Sequence, residues 1–206
     1  MKATLAFIFC LALAVPGAAQ DDGLSIRPFA LGTVEQFSAI DSFDAVFGRT
    51  YEPFLGGGVQ VLQGDYFLEL TASRFNQTGQ RAFINNGQKF RLGIPLTAKM
   101  IALEATAGYR YPLSPRVRPY GSAGIGLYHY TEDSTFDEPG ENIDARHTGF
   151  VANGGAEFRL HRWVGLALDV QYTHIPGILG SGGVSRQANE NDLGGISGRL
   201  KVIVGR

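Results

Sequence analysis

Two carboxylates in the segment "GGAEFRLHRWVGLALDVQY", Glu157 and Asp169, are of the type that does general acid–base work when a fold brings them into one cleft. A second candidate is His174 in "YTHIPG" (172–177), which could activate a hydroxyl nucleophile. It is followed by Ile175 and Pro176, and Ser181 stands seven residues on in a glycine-rich stretch. His129, His147, His161 and His174 lack metal-ligand spacing to one another or to a carboxylate cluster, so no metal and no cofactor is expected. The stretch "TEDSTFDEPGENIDAR" holds Glu132, Asp133, Asp137, Glu138, Glu141 and Asp144 against Arg146. It departs from EF-hand spacing and reads first as a solvated acidic run. "GSAGIG" continues as a strand rather than into a helix, which removes the phosphate-binding reading of its glycines.

What decides among these is the company the charges keep. On one face of the alternating segments stand four acids (Glu69, Glu104, Glu157, Asp169) and four bases (Arg110, Arg159, Arg199, Lys201). Buried charges persist only when paired and hydrogen-bonded, and here the two signs match in number. The eight residues are therefore expected to form a structural ion-pair network in a closed interior, with Asp169 opposite a cation of the final strand.

The residues assigned to the opposite face carry no charge. They are Val59 and Val61; Leu68 and Leu70; Ile101, Leu103 and Tyr109; Ala123, Ile125 and Leu127; Ala156 and Phe158; Leu166, Leu168 and Val170; Leu200, Val202 and Val204. Period-two alternation of this kind predicts strands. Eight segments show it: 26–37, 54–63, 66–75, 101–111 (with a start as early as Ile94), 118–130, 149–160, 163–172 and 195–204. Each is about ten residues, the length a tilted strand needs to cross a bilayer. Glycines on these strands (Gly56 to Gly58, Gly124, Gly126, Gly154, Gly155, Gly198) are expected to make room in a narrow barrel. The connections alternate: 64–65, 112–117 and 161–162 are short, whereas 38–53, 76–93, 131–148 and 173–194 are long and polar or glycine-rich. Asn86-Gly87 in the second long connection is a type I′ hairpin signal. The expectation is an all-β, eight-stranded antiparallel up-and-down transmembrane barrel, with short turns at one end and long loops at the other.

Composition agrees. The 206-residue chain has 28 glycines, 44% hydrophobic and 18% charged residues, and a net charge of −1, which gives no footing for a nucleic-acid partner. Lys2, the apolar run Ala3 to Val15 and "PGAAQDD" read as a secretory signal over residues 1–19, leaving 20–206 as the barrel domain. Cys10 lies in that signal, so the exported domain has no cysteine. An inverted arrangement, a secreted soluble barrel with an apolar interior for a small ligand, is open to the same alternation.

"RPYGSAGIGLYHY" and "GGAEFRLHRWVGLALDVQY" resemble the OmpA/OmpX-type small outer-membrane β-barrel family. There a glycine-rich strand is followed by glycine, an acid, an aromatic, arginine and leucine, then a tight turn and a Leu-x-Leu-acidic strand ending in tyrosine. The matching residues are Gly155, Glu157, Phe158, Arg159, Leu160, Leu166, Leu168, Asp169 and Tyr172, and the resemblance covers about residues 24–206. It implies a monomer in the outer membrane of a Gram-negative-type bacterium, contacting outer-membrane lipid, with structural lumen charges and with loops available to a surface partner. The ending "VIVGR" departs from the C-terminal aromatic of many members, and a peptidoglycan-binding domain is not expected after it. Lipid A deacylases built on similar barrels pair a histidine with a serine two residues on, and at His174 that serine is missing.

Overall fold

The computed structural model describes residues 23–85, 87–134, 143–180 and 183–205. The signal segment, Asn86, Ser181 and the acids Asp137, Glu138 and Glu141 lie outside the described residues. Eight strands, β1 (Ser25–Phe37), β2 (Tyr51–Gln63), β3 (Tyr66–Asn85), β4 (Gln88–Arg110), β5 (Val117–Ser134), β6 (Ile143–His161), β7 (Val164–His174) and β8 (Gly195–Val204), pair with their sequence neighbours in antiparallel fashion. β8 pairs with β1, which closes the barrel. Helix α1 (Ile40–Phe47) joins β1 to β2, and the short α2 (Gly183–Gln187) lies between β7 and β8. None of the helices among the described residues is long and apolar enough to cross a membrane.

The strand registers fix the shape. Paired residues lead from Arg146 through His129, Ile101, Arg74, Leu55, Gly32, Leu200 and Leu168 back to β6 at Ala156, ten residues from the start. Eight strands with that stagger tilt by about 40° from the barrel axis. A strand so tilted climbs about 2.5 Å along the axis per residue, so Tyr109 to Lys99 on the outer face of β4 covers about 25 Å, the height of an outer-membrane apolar band. Between those levels the outer face presents Leu68, Leu70, Ile101, Leu103, Ile125, Leu127, Leu168, Val170, Leu200 and Val202. Tyr66, Tyr109 and Trp163 stand exposed at the turn end, where an aromatic girdle belongs. The interior is polar at mid-height and the exterior apolar, which excludes the inverted, soluble barrel.

Several elements run beyond the sequence expectation. β3 and β4 continue as a hairpin to Asn85 and Gln88, with Gly87 at φ +78°, so 76–93 is mostly strand. β5 and β6 likewise reach Ser134 and Ile143, and β2 begins at Tyr51. Once the chain rises above the lipid, both strand faces meet water, and alternation no longer marks the strand. Gly58 shows why glycine is needed inside: a Cβ there would stand 2.0 Å from the Leu70 carbonyl oxygen and 2.6 Å from the Phe29 ring. Gly154 and Gly198 do not make room in the lumen as expected. They face outward, and a Cβ on either meets nothing within 4 Å.

Candidate functional site: a layered lumen

The lumen fills in layers because inward positions alternate around eight tilted strands and too little space remains for water. At the turn end, Arg27 of β1 donates to both oxygens of Glu157, at 2.7 Å each, and to Gln60 at 2.8 Å. Arg110 stands 3.7 Å from Glu157 and donates to the Gly64 carbonyl. Gln60 links this cluster upward by donating to Glu69 at 2.6 Å.

At mid-height, Asp169 and Arg199 are register partners on β7 and β8, and Arg199 Nε donates to Asp169 Oδ1 at 2.5 Å. Arg199 also donates to Gln171, and its guanidinium lies 3.7 Å from Glu69 and 3.8 Å from Glu104. Lys201, fully buried, donates to Glu69 at 2.6 Å and lies 3.2 Å from Asp169. Its ammonium also sits over the rings of Phe29 and Tyr120. The Tyr120 hydroxyl donates to Asp169, while Tyr128 and Gln171 donate to Glu104 at 2.9 and 2.8 Å.

Seven of the eight expected lumen charges meet here: Glu69, Glu104, Arg110, Glu157, Asp169, Arg199 and Lys201. Arg159 does not, and this corrects the sequence reading. It is exposed at the end of β6, where the pairing slips between Arg159 and His161. Arg27 takes its place, so four acids still face four bases. The parity of β1 could have identified Arg27, but Phe29 and Leu31 share its inward face and blur the polar pattern. Glu35 is a further buried carboxylate, with no hydrogen bond or ion pair among the described residues. Glu157 and Asp169 belong to separate clusters, each held by its own arginine, and do not form a carboxylate pair.

Above the charges the lumen turns apolar. Phe37, Phe43, Phe54 and Phe75 pack together, with Phe37 and Phe43 stacked at 4.0 Å and Phe54 and Phe75 at 5.3 Å. Phe43 comes from α1, which folds into the mouth, and Ile175, Ile178, Leu179 and Leu193 enter from the β7–β8 connection. The cap is tied at both ends of α1. Glu190 accepts from the Asp41 and Ser42 amides at 2.9 Å each, completing the helix N-terminus from another loop. Arg91 of the hairpin donates to the Ala45 and Asp44 carbonyls at 2.9 Å each, and Lys89 pairs with Asp44 at 2.6 Å. That hydrogen bond to Asp44 raises the Lys89 pKa above the ordinary lysine value.

The histidines are apart from the lumen charges. His174 Nδ1 lies 2.6 Å from Asp192, and His129 lies 2.7 Å from Asp144. Among the described residues no group of three metal-ligating side chains converges.

Comparison with known proteins adds to this geometry. A family model described as "Outer membrane protein beta-barrel domain" matches residues 3–195. The N-terminal β-barrel domain of Pseudomonas aeruginosa OprF aligns with a TM-score of 0.50 at 15% identity, over 88% of this chain and 97% of that one. Neisserial surface protein A gives 0.49 at 14% identity, over 89% and 97% of the two chains. Ail, the attachment invasion locus protein of Yersinia pestis, gives 0.45 at 14% identity, over 89% and 97%. No curated protein matches the sequence.

Proposed function

The chain belongs to the outer membrane protein β-barrel domain family and is an integral outer-membrane protein, and on that premise we propose that it is a closed, non-enzymatic anchor acting through its loop end. The observation that carries this reading is the double closure of the lumen, by a buried ion-pair network at mid-height and by the phenylalanine cap above it. A barrel filled in this way serves the envelope as a wall element and as a platform. Outer-membrane barrels keep short turns in the periplasm and longer loops outside, which assigns α1, the β3–β4 hairpin and the β7–β8 connection to the cell surface. The hairpin carries an exposed stacked pair, Phe83 and Phe90, with ring centroids 4.9 Å apart, about 20 Å above the apolar band. Closure leaves no free strand edge for a second copy to pair with, which supports a monomer. The non-enzymatic reading is supported by His174, whose ring faces Asp192 and not a hydroxyl, and by carboxylates tied to arginines.

The test replaces residues 81–92 with a tight turn and compares this variant with a strain lacking the protein. Loss of surface binding with envelope integrity retained is the expected outcome. A shortened variant that binds host or neighbouring-cell surfaces as well as the parent would overturn the platform role.

A further inference from the structure

The outer wall holds one charge that the apolar band does not explain. Arg74 lies on the outward face of β3, exposed, with no hydrogen bond or ion pair among the described residues. The stagger of the barrel puts it about 7 Å below Lys99, inside the upper edge of the band and level with Leu127 and Phe150. Lys99, higher up, is neutralised by Asp133 at 2.7 Å. A basic residue rooted that deep would cost up to about 2–4 kcal/mol if its charge stayed at the level of its backbone, so the long stem must carry the guanidinium up toward the headgroups.

Beside Arg74 the wall is grooved. Registered pairs run from Arg74 to Leu55, Gly32, Leu200 and Leu168, descending into the membrane. Gly32 and Gly198 interrupt the leucine ridges, and a Cβ on either would enter open space. The result is an outward groove of about 770 Å³ bounded by Leu55, Leu168 and Leu200. Its apolar walls lie at acyl-chain depth, and above them Arg74 is rooted inside the band with a stem long enough to carry its guanidinium up to the headgroups. We propose that this is a lipid site, taking one phosphorylated lipid of the outer leaflet with its phosphate on Arg74 and an acyl chain in the Gly32–Gly198 groove. The charge complementarity selects an anionic headgroup, and the depth selects a lipid over a soluble phosphate compound.

Native mass spectrometry of the folded barrel, released from mixed micelles with lipid A or with dephosphorylated lipid A, tests this. The parent retains the phosphorylated lipid, and Arg74→Gln lowers retention on the order of tenfold, the scale of a charged hydrogen bond. Gly198→Leu fills the groove without meeting the barrel and lowers retention of both lipids. Arg146→Gln removes another exposed arginine, about 9 Å higher on β6, and leaves retention unchanged. Excess inorganic phosphate does not displace the bound lipid. Equal retention in Arg74→Gln and the parent, or equal loss in Arg146→Gln, would overturn the headgroup assignment. Displacement by phosphate alone, or unchanged retention in Gly198→Leu, would overturn the groove. Heat-dependent gel mobility of each variant shows that the barrel is folded.

Discussion

Replacing Arg199 by methionine removes the cation at the centre of the lumen. Arg199 is 4% exposed, bonds Asp169 and Gln171, and lies within 3.8 Å of Glu69 and Glu104. With it gone, Lys201 alone faces three carboxylates at mid-height. Removing one partner of a buried ion pair costs about 3–5 kcal/mol, chiefly because the other charge stays buried and unpaired. The same argument predicts that the cost falls when the orphaned acid is also removed. The Arg199→Met/Asp169→Leu double variant should lose no more than about 2 kcal/mol, since apolar replacement of a whole buried pair is often near neutral. Asp169→Leu alone orphans Arg199 and should cost a similar amount, about 3–5 kcal/mol, so the double-mutant cycle gives a coupling of about 4 kcal/mol or more. The assay is urea unfolding in lipid vesicles, followed by the shift in gel mobility between folded and unfolded barrel. Additive losses, or a single-variant cost below about 1 kcal/mol, would show that the network does not hold the lumen together as described.

Glu35→Gln removes a buried carboxylate with no hydrogen bond or ion pair among the described residues, so it should leave stability unchanged or raise it by about 1 kcal/mol in the same titration. Gly58→Ala forces a Cβ against the Leu70 carbonyl oxygen and should cost more than about 3 kcal/mol or block refolding, whereas Gly32→Ala, over open space, should refold normally. Glu190→Gln weakens the tie between the β7–β8 connection and α1, which should speed amide exchange at Asp41 and Ser42 about tenfold while protection in β1 and β8 stays unchanged.

The barrel was legible in the sequence because lipid and lumen impose opposite demands on successive residues, as in Leu166 to Tyr172. Matched inward charges identified most of the network. Arg27 escaped because its face also holds Phe29 and Leu31, so neither side of β1 reads as polar. Arg159 keeps the inward parity of Glu157, but it stands in the last in-register pair of β6, past the final lumen layer, where its side chain meets solvent. The phenylalanine cap was hidden for another reason. Phe37 and Phe54 read as ordinary strand residues, and only the fold of α1 into the mouth brings Phe43 onto them. A helical cue was present in Ile40, Phe43 and Phe47 followed by Gly48, which takes φ +73° at the C-cap. Arg74 shares the parity of Leu68 and Leu70, and Gly154 and Gly198 that of Ala156 and Leu200, so alternation alone points them outward; their depth in the membrane comes only from the strand register.

Solute flux through the reconstituted barrel tests the closed lumen most directly. Vesicles carrying the parent protein should be as tight to ions and small sugars as protein-free vesicles, because charged and apolar plugs lie in series. Steady single-channel conductance of the folded parent, at the level of an open porin, would contradict the account.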